Sequence, residues 1–239
     1  LAGDPAQRVS AAAALDAWAH AHCKPARGGT DCGPLVVVAT AGGGIRAAYW
    51  TGIVLGHLHD KIPAFDDRVF AISGVSGGSV GASVYRAIVT GGNAQCRRDS
   101  ILPCTTGILT HDYLSPLSAS LLYPDLVQRF VPWPQLPDRA KTFETAWEHV
   151  VQDHAGTAAF GQSFAALGAP GQQPWPALFL NATRSENGRR IIAASVRIDN
   201  EPAFKLANDQ LSVLGYDIRF ASAAHNSARF PYVSPPGSW

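Results

Sequence analysis

The chain has 239 residues, 46% of them apolar, and its 19 Lys and Arg against 18 Asp and Glu leave a formal charge of +1. Nucleic acid is excluded as the main partner, because neutralising phosphates needs a basic excess or stripe and the longest basic runs here are the pairs Arg97-Arg98 and Arg189-Arg190. The apolar content at low charge excludes disorder, no stretch approaches the ~20 apolar residues of a bilayer helix, and no repeat period is present.

No basic start precedes an apolar stretch, and the chain opens at Leu1 rather than Met, so we expect a mature product or a piece of a longer one. Residues 10–22 are Ala-rich with Leu15 and Trp18 at i,i+3, and Ser10 in front suits an N-cap, which predicts a helix. The four cysteines fall into two close pairs, Cys23/Cys32 and Cys96/Cys104, each closing a short polar loop that lacks His. Zinc sites use tighter spacers and His partners, so two local disulfides in an exported protein, periplasmic or secreted, fit better. The alternative is four free thiols in a cytoplasmic protein. No metal site is expected.

Leu35–Thr40 is a continuous β-branched run between Pro34 and a glycine cluster, which predicts a strand buried on both faces. Gly42, Gly43 and Gly44 break it. A helix follows from Ile45 to about Lys61, with Ile45, Ala48, Tyr49, Gly52 and Leu55 on one side and Gly52 and Gly56 allowing close approach to another backbone. A second buried strand, Val69–Ser73, runs into Gly74-Val75-Ser76-Gly77-Gly78, then a helix to about Thr90 stopped by Gly91-Gly92. Strand, glycine turn and helix, twice over, is the grammar of an open, mostly parallel sheet covered by helices.

Residues 93–140 read as an insertion with one or two helices and the turn-rich segments Tyr123-Pro-Asp and Val131-Pro-Trp-Pro. Phe143, Trp147 and Val151 recur at helical spacing, whereas 155–176 is low in charge and reads as a surface loop. Asn187-Gly188 between Ala177–Ala182 and Arg190–Val196 is a hairpin signal. Asn181-Ala-Thr183 matches a glycosylation acceptor, but an Asn in a turn is the plainer reading. Asp217–Phe220 reads as a short strand or helix start, and Ala221–Arg229 is small and polar.

Gly74-Val75-Ser76-Gly77-Gly78 fits G-x-S-x-G in the context that gives it meaning, a strand before and a small-residue helix after. Such a turn strains the Ser backbone and presents its hydroxyl over a helix N-terminus, where developing negative charge is favoured. The competing reading is a glycine turn with a capping Ser. The second glycine turn, GGGIR, offers bare backbone N–H groups, as an acyl-transfer oxyanion needs. It matches neither common nucleotide-binding glycine pattern.

Together, Ala41-Gly-Gly-Gly-Ile-Arg46 and Gly74-Val-Ser-Gly-Gly78 resemble the patatin-like phospholipases. The segments Phe179–Gly188 and Ala221–Pro231 are similar to later parts of that family, so the resemblance runs from about Leu35 to Val233. It implies a three-layer α/β/α fold around a mostly parallel sheet. The domain would span 35–239 with its C-terminal part missing, preceded by residues 1–34 as a helix and disulfide loop. It implies a serine lipid acyl hydrolase with Ser76 as nucleophile and an oxyanion hole from Gly42, Gly43, Gly44 and Gly77. Arg46 would brace that loop or meet a lipid phosphate. Substrates would be phospholipids or other acyl esters at a membrane surface, with no cofactor.

Two departures stand out. Ala41 replaces a frequent Asp of the family, and the Asp-Gly dipeptide that carries its general base occurs nowhere in the 239 residues. The resemblance therefore leads us to expect that Asp in a segment after Trp239, and little activity without it. Other readings are a Ser76, Asp199 or Asp217, and His225 triad in α/β-hydrolase order, a soluble-substrate esterase, or an inactive lipid-binding module.

Overall fold

A computed structural model describes residues 3–26, 29–92, 96, 100–128, 130, 137–230, 234, 235 and 237. The Val131-Pro-Trp-Pro segment lies outside them. Ser10 caps α1 (Ala11–His22), its hydroxyl accepting from the Ala13 N–H at 3.1 Å. The apolar face of α1 is Ala14 and Trp18 rather than Leu15, which is exposed. Next comes a small hairpin of β1 (Lys24–Ala26) and β2 (Gly29–Asp31), closed by the Cys23–Cys32 disulfide.

The main sheet runs β3 (Val36–Thr40), β4 (Val69–Val75), β5 (Ala177–Thr183), β6 (Arg190–Ala194) and β7 (Ala207–Asp209), in that spatial order. All neighbours are parallel except β5 and β6, the hairpin announced by Asn187-Gly188. In that turn the Asn187 side chain accepts from the Arg189 N–H at 3.0 Å and Gly188 takes φ 67°.

Alternation along the strands builds two apolar faces. Ile72, Leu178, Leu180 and Ala193 point to one side, under α2 (Gly44–Lys61), α4 (Gly77–Gly91), α7 (Arg139–Ala155) and α9 (Phe220–Ala228). Ala71, Ala177, Phe179, Ile192 and Ala194 point to the other, where α1 packs through Ala14. The result is a three-layer α/β/α fold. Further helices are α3 (Phe65–Arg68), α5 (Leu102–Leu109), α6 (Leu114–Ser120) and α8 (Gln210–Leu214), with a single α-helical turn at Leu126–Gln128. The insertion thus holds more helix than its turn-rich composition suggests; a π turn over Leu121–Asp125 follows α6 directly. The Cys96–Cys104 disulfide ties the start of α5. No helix among the described residues is long and apolar enough to cross a membrane.

Three expectations need correction. β3 is an edge strand of the sheet, with Val37 61% exposed, because α1 covers the face of β4 to β6 and not of β3. Residues 155–176 are not a surface loop: two 3-10 turns there insert Phe160 and Phe164 fully into the core. Asn181 lies within β5 at 8% exposure, with its amide engaged, and is neither a turn nor an accessible glycosylation site.

The segment before α1 is anchored by Arg8. Its guanidinium donates to both carboxylate oxygens of Asp209 at 3.0 and 3.1 Å and to the Ala194 carbonyl at 2.6 Å, with both charged side chains fully buried. Burial pushes the Asp209 carboxyl up against the opposing pull of Arg8, so the pair fixes geometry more than it adds net stability. Asp209 also caps α8 by accepting from the Leu211 N–H. Arg8→Ala is expected to destabilise the fold by roughly 3–5 kcal/mol, since it leaves an uncompensated buried carboxylate; the shift in urea midpoint measures it.

Candidate active site

The site lies at the C-terminal edge of β3 and β4, where α2 and α4 begin. Ser76 joins β4 to α4 with φ 52° and ψ −123°. That backbone region is sparsely populated by anything but Gly and costs on the order of 1–3 kcal/mol. Ser76 makes no side-chain cap on α4, which removes the reading of it as a capping Ser. Its hydroxyl is free of the helix it precedes.

Glycines let the backbones around it close up. A Cβ on Gly74 would stand 2.7 Å from the Ser79 backbone, and one on Gly78 would stand 2.6 Å from the Ala41 carbonyl oxygen. A Cβ on Gly77 would collide with the Gly44 carbonyl. The glycine loop after β3 lies against Ser76, with the Gly42 Cβ position 3.3 Å from the Ser76 Cβ. Gly43 and Gly44 take φ 149° and 59°, left-handed conformations that lead straight into α2. Two helix N-termini, with their orphan N–H groups, therefore converge on one serine.

Of the residues singled out in the sequence, Ser76, Gly42, Gly44 and Gly77 are brought together, and Gly43 sits between Gly42 and Gly44 as the cap of α2. Arg46 is exposed on the first turn of α2 and has no ion pair among the described residues. Asp199 and Asp217 are engaged elsewhere, with Ser212 and with the Ala165 N–H.

Two residues of the serine's support were missed in the sequence. Ser227 on α9 accepts from the Ser76 N–H at 3.3 Å, pairs with the Ser79 hydroxyl at 2.7 Å and donates to the Asn181 carbonyl at 2.6 Å. Asn181 reaches the other way, its amide donating to the Gly74 carbonyl at 2.7 Å and to Ser73 Oγ at 3.0 Å. β5 and α9 thus hold both sides of the turn. A polar Asn inside the apolar run of β5 was the available signal.

Ser76, Gly44 and Gly77 open onto a cavity of about 360 Å³ walled by Leu109, Tyr113, Leu117, Phe143, Trp147 and Phe230. Its size and apolar walls suit a small-molecule or acyl-chain ligand. The Tyr113 hydroxyl is raised by burial and donates to the Ile108 carbonyl at 2.8 Å, so it is committed to structure.

His225 does not serve Ser76. It is 1% exposed, with Nδ1 3.0 Å from Glu144 Oε1 and Nε2 3.0 Å from Ser234 Oγ. The reason is helical geometry: His225 and Ser227 are two residues apart on α9, about 200° around the axis. The face that meets Ser76 is therefore not the face that carries His225. Glu144 accepts as well from Ser222 at 2.7 Å and Arg219 at 3.2 Å. Burial raises its carboxyl, but the hydrogen bonds of His225 and Ser222 and the positive charge of Arg219 oppose that, and the net direction is down.

The fold and this site define a three-layer α/β protein with a strained serine at a glycine-built crossing of two helix N-termini. Among solved structures the chain is similar to human GIVD cytosolic phospholipase A2 in complex with methyl gamma-linolenyl fluorophosphonate, at 20% identity and TM-score 0.38 over 80% of this chain and 26% of that one. It is also similar to the complex with the same inhibitor and terbium chloride, at 21% identity and TM-score 0.34 over 80% of this chain and 27% of that one. The chain thus spans about a quarter of the length of that protein. No family model matches the sequence, and no curated protein matches it significantly.

A carboxylate lowered in the folded state contributes stability above its unfolded pKa, lost as the pH falls through the folded value. Glu144→Gln is therefore expected to lower the urea midpoint at pH 7, and the gap from the parent protein should narrow below about pH 4.5, the ordinary Glu value. Urea titrations across that range measure it.

Proposed function

We propose that the protein is a serine lipid acyl hydrolase of the phospholipase A or esterase type, with Ser76 as its nucleophile. The observation that carries this reading is the strained, uncapped Ser76 at the rim of an apolar cavity, beside a glycine loop that opens a helix. Strain of this kind persists where the surroundings over-determine it, and here it aims a hydroxyl at a ligand space.

In this reading Ser76 Oγ attacks the ester carbonyl carbon while the acyl chain lies among Phe143, Trp147 and Leu117. The oxyanion takes hydrogen bonds from the backbone N–H groups of the Gly42–Gly44 loop and Gly77, reinforced by two helix N-termini. The alcohol leaves with a proton, and water then releases the acyl group from Ser76. Arg46, exposed beside the loop, meets the phosphate of a phospholipid headgroup at a membrane surface. A carboxylate base is required, and no carboxylate hydrogen-bonds Ser76 among the described residues. With no Asp-Gly in the 239 residues, the reading assigns the base to an Asp in sequence following Trp239. The two disulfides favour an oxidising, exported setting, periplasmic or secreted.

In the full gene product, Ser76→Ala is expected to lower hydrolysis of a long-chain ester by at least ~1,000-fold with an unchanged unfolding midpoint, since Ala keeps the same Cβ. Ser76→Gly should be equally inactive yet more stable by about 1 kcal/mol, because it relieves the positive φ. Residual activity in Ser76→Ala would sink the assignment; a Ser76→Gly protein less stable than Ser76→Ala would sink the strain argument.

A further inference from the structure

The cavity at Ser76 has a second hydroxyl on its wall, that of Ser234. Ser234 Oγ lies 3.0 Å from His225 Nε2, and His225 Nδ1 lies 3.0 Å from Glu144 Oε1. A nucleophile, an imidazole and a carboxylate in hydrogen-bonded series is the arrangement that activates serine in acyl transfer, and it is recognised by geometry rather than chain order. We propose that Ser234, His225 and Glu144 form a second activated-serine centre, facing the same cavity as Ser76 and taking acyl esters.

Several features hold the series in register. Glu144 lies on α7 and His225 on α9, so two packed helices fix their relative position. The imidazole is buried against Phe143 and Trp147, with ring centroids 5.4 and 5.9 Å away, and both aromatics also wall the cavity. Ser234 and Pro235 are each tied to the end of α9. The Ser234 N–H donates to the Phe230 carbonyl at 3.0 Å, and Arg229 Nη1 donates to the Pro235 carbonyl at 2.7 Å. Glu144 stays ionised through Ser222 and Arg219, so it accepts a hydrogen bond from His225 Nδ1–H. In the neutral imidazole, Nδ1 keeps its proton for Glu144, which leaves Nε2 to accept the Ser234 proton.

The chemistry follows from these roles. The Ser234 hydroxyl gives its proton to His225 Nε2 as the bond from Oγ to the ester carbonyl carbon forms. The carbon–oxygen bond to the alcohol then breaks, and His225 returns the proton to the leaving oxygen. Water repeats the sequence in reverse and frees the acid. Glu144 is a positioning residue, acting only through the imidazole. Because His225 faces away from Ser76, this centre operates without the base that Ser76 needs.

The experiment is labelling of the full gene product with an alkyl fluorophosphonate, the modified peptides being mapped by mass spectrometry. In Ser76→Ala, Ser234 is expected to take the label. His225→Gln in that background should slow labelling of Ser234 by ~100-fold or more, the usual range for loss of a general base. Glu144→Gln should slow it too, with partial rescue by Glu144→Asp, which restores a carboxylate; a purely structural Glu144 would not show that order. Circular dichroism and gel filtration establish that each variant is folded. An unlabelled Ser234 in folded Ser76→Ala would overturn the proposal, and so would a rate unaffected by His225→Gln. Label on Ser76 in the parent protein reports separately on the reading of Ser76.

Discussion

The structure depends on how closely two helix starts and two strand ends approach one another. At the crossing of α2 and α4, side chains are absent by necessity: Gly77 rests on the Gly44 carbonyl, Gly81 on the Ala48 carbonyl, and Gly78 on Ala41 and Thr40. Backbone contacts of this kind cannot yield as side chains can. The close crossing directs both helix N-termini to the same point and brings the end of β3 alongside the end of β4. Ser76 has little choice of conformation, since the Gly42 loop, Ser227 and Asn181 occupy the space around its backbone.

The parts of this arrangement readable from sequence were those governed by local rules. Glycine after a β-branched run, Asn-Gly between two apolar runs and Ser before an Ala-rich stretch each have one dominant conformational solution, and each took it. What escaped was set by tertiary neighbours. The run at β3 is apolar enough for burial on both faces, yet its exposure depends on where α1 lies across the sheet. Phe160 and Phe164 sit in a stretch of loop-like composition and are buried because α7 and α9 leave room for them. Asn181 resembles a turn residue in sequence, while its role comes from the end of β4, more than a hundred residues away. The partners of His225 were invisible for the same reason: Glu144 is 81 positions distant.

Around the cavity, apolar walls and polar groups divide the work. Leu117 and Trp147 supply buried apolar wall, while the Ser76 and Ser234 hydroxyls and the Gly44 and Gly77 backbone lie on the polar side. The low dielectric of such walls strengthens every hydrogen bond made at their edge and makes an unpaired group there costly. Tyr113 answers that cost through the Ile108 carbonyl, and His225 through Glu144. At Ser76 it is the backbone that is held, its N–H by Ser227, while its side chain makes no cap on α4.

The Arg8–Asp209 clasp also bears on the order in which the molecule is made. Its two partners are 201 positions apart, so Arg8 leaves the ribosome long before Asp209 exists. Until then the segment ahead of α1 has no buried seat for its charge. Contacts of such span close late and slowly, because the chain entropy of the intervening loop opposes them. A chain halted short of β7 therefore carries the Arg8 guanidinium without the carboxylate that its buried seat requires.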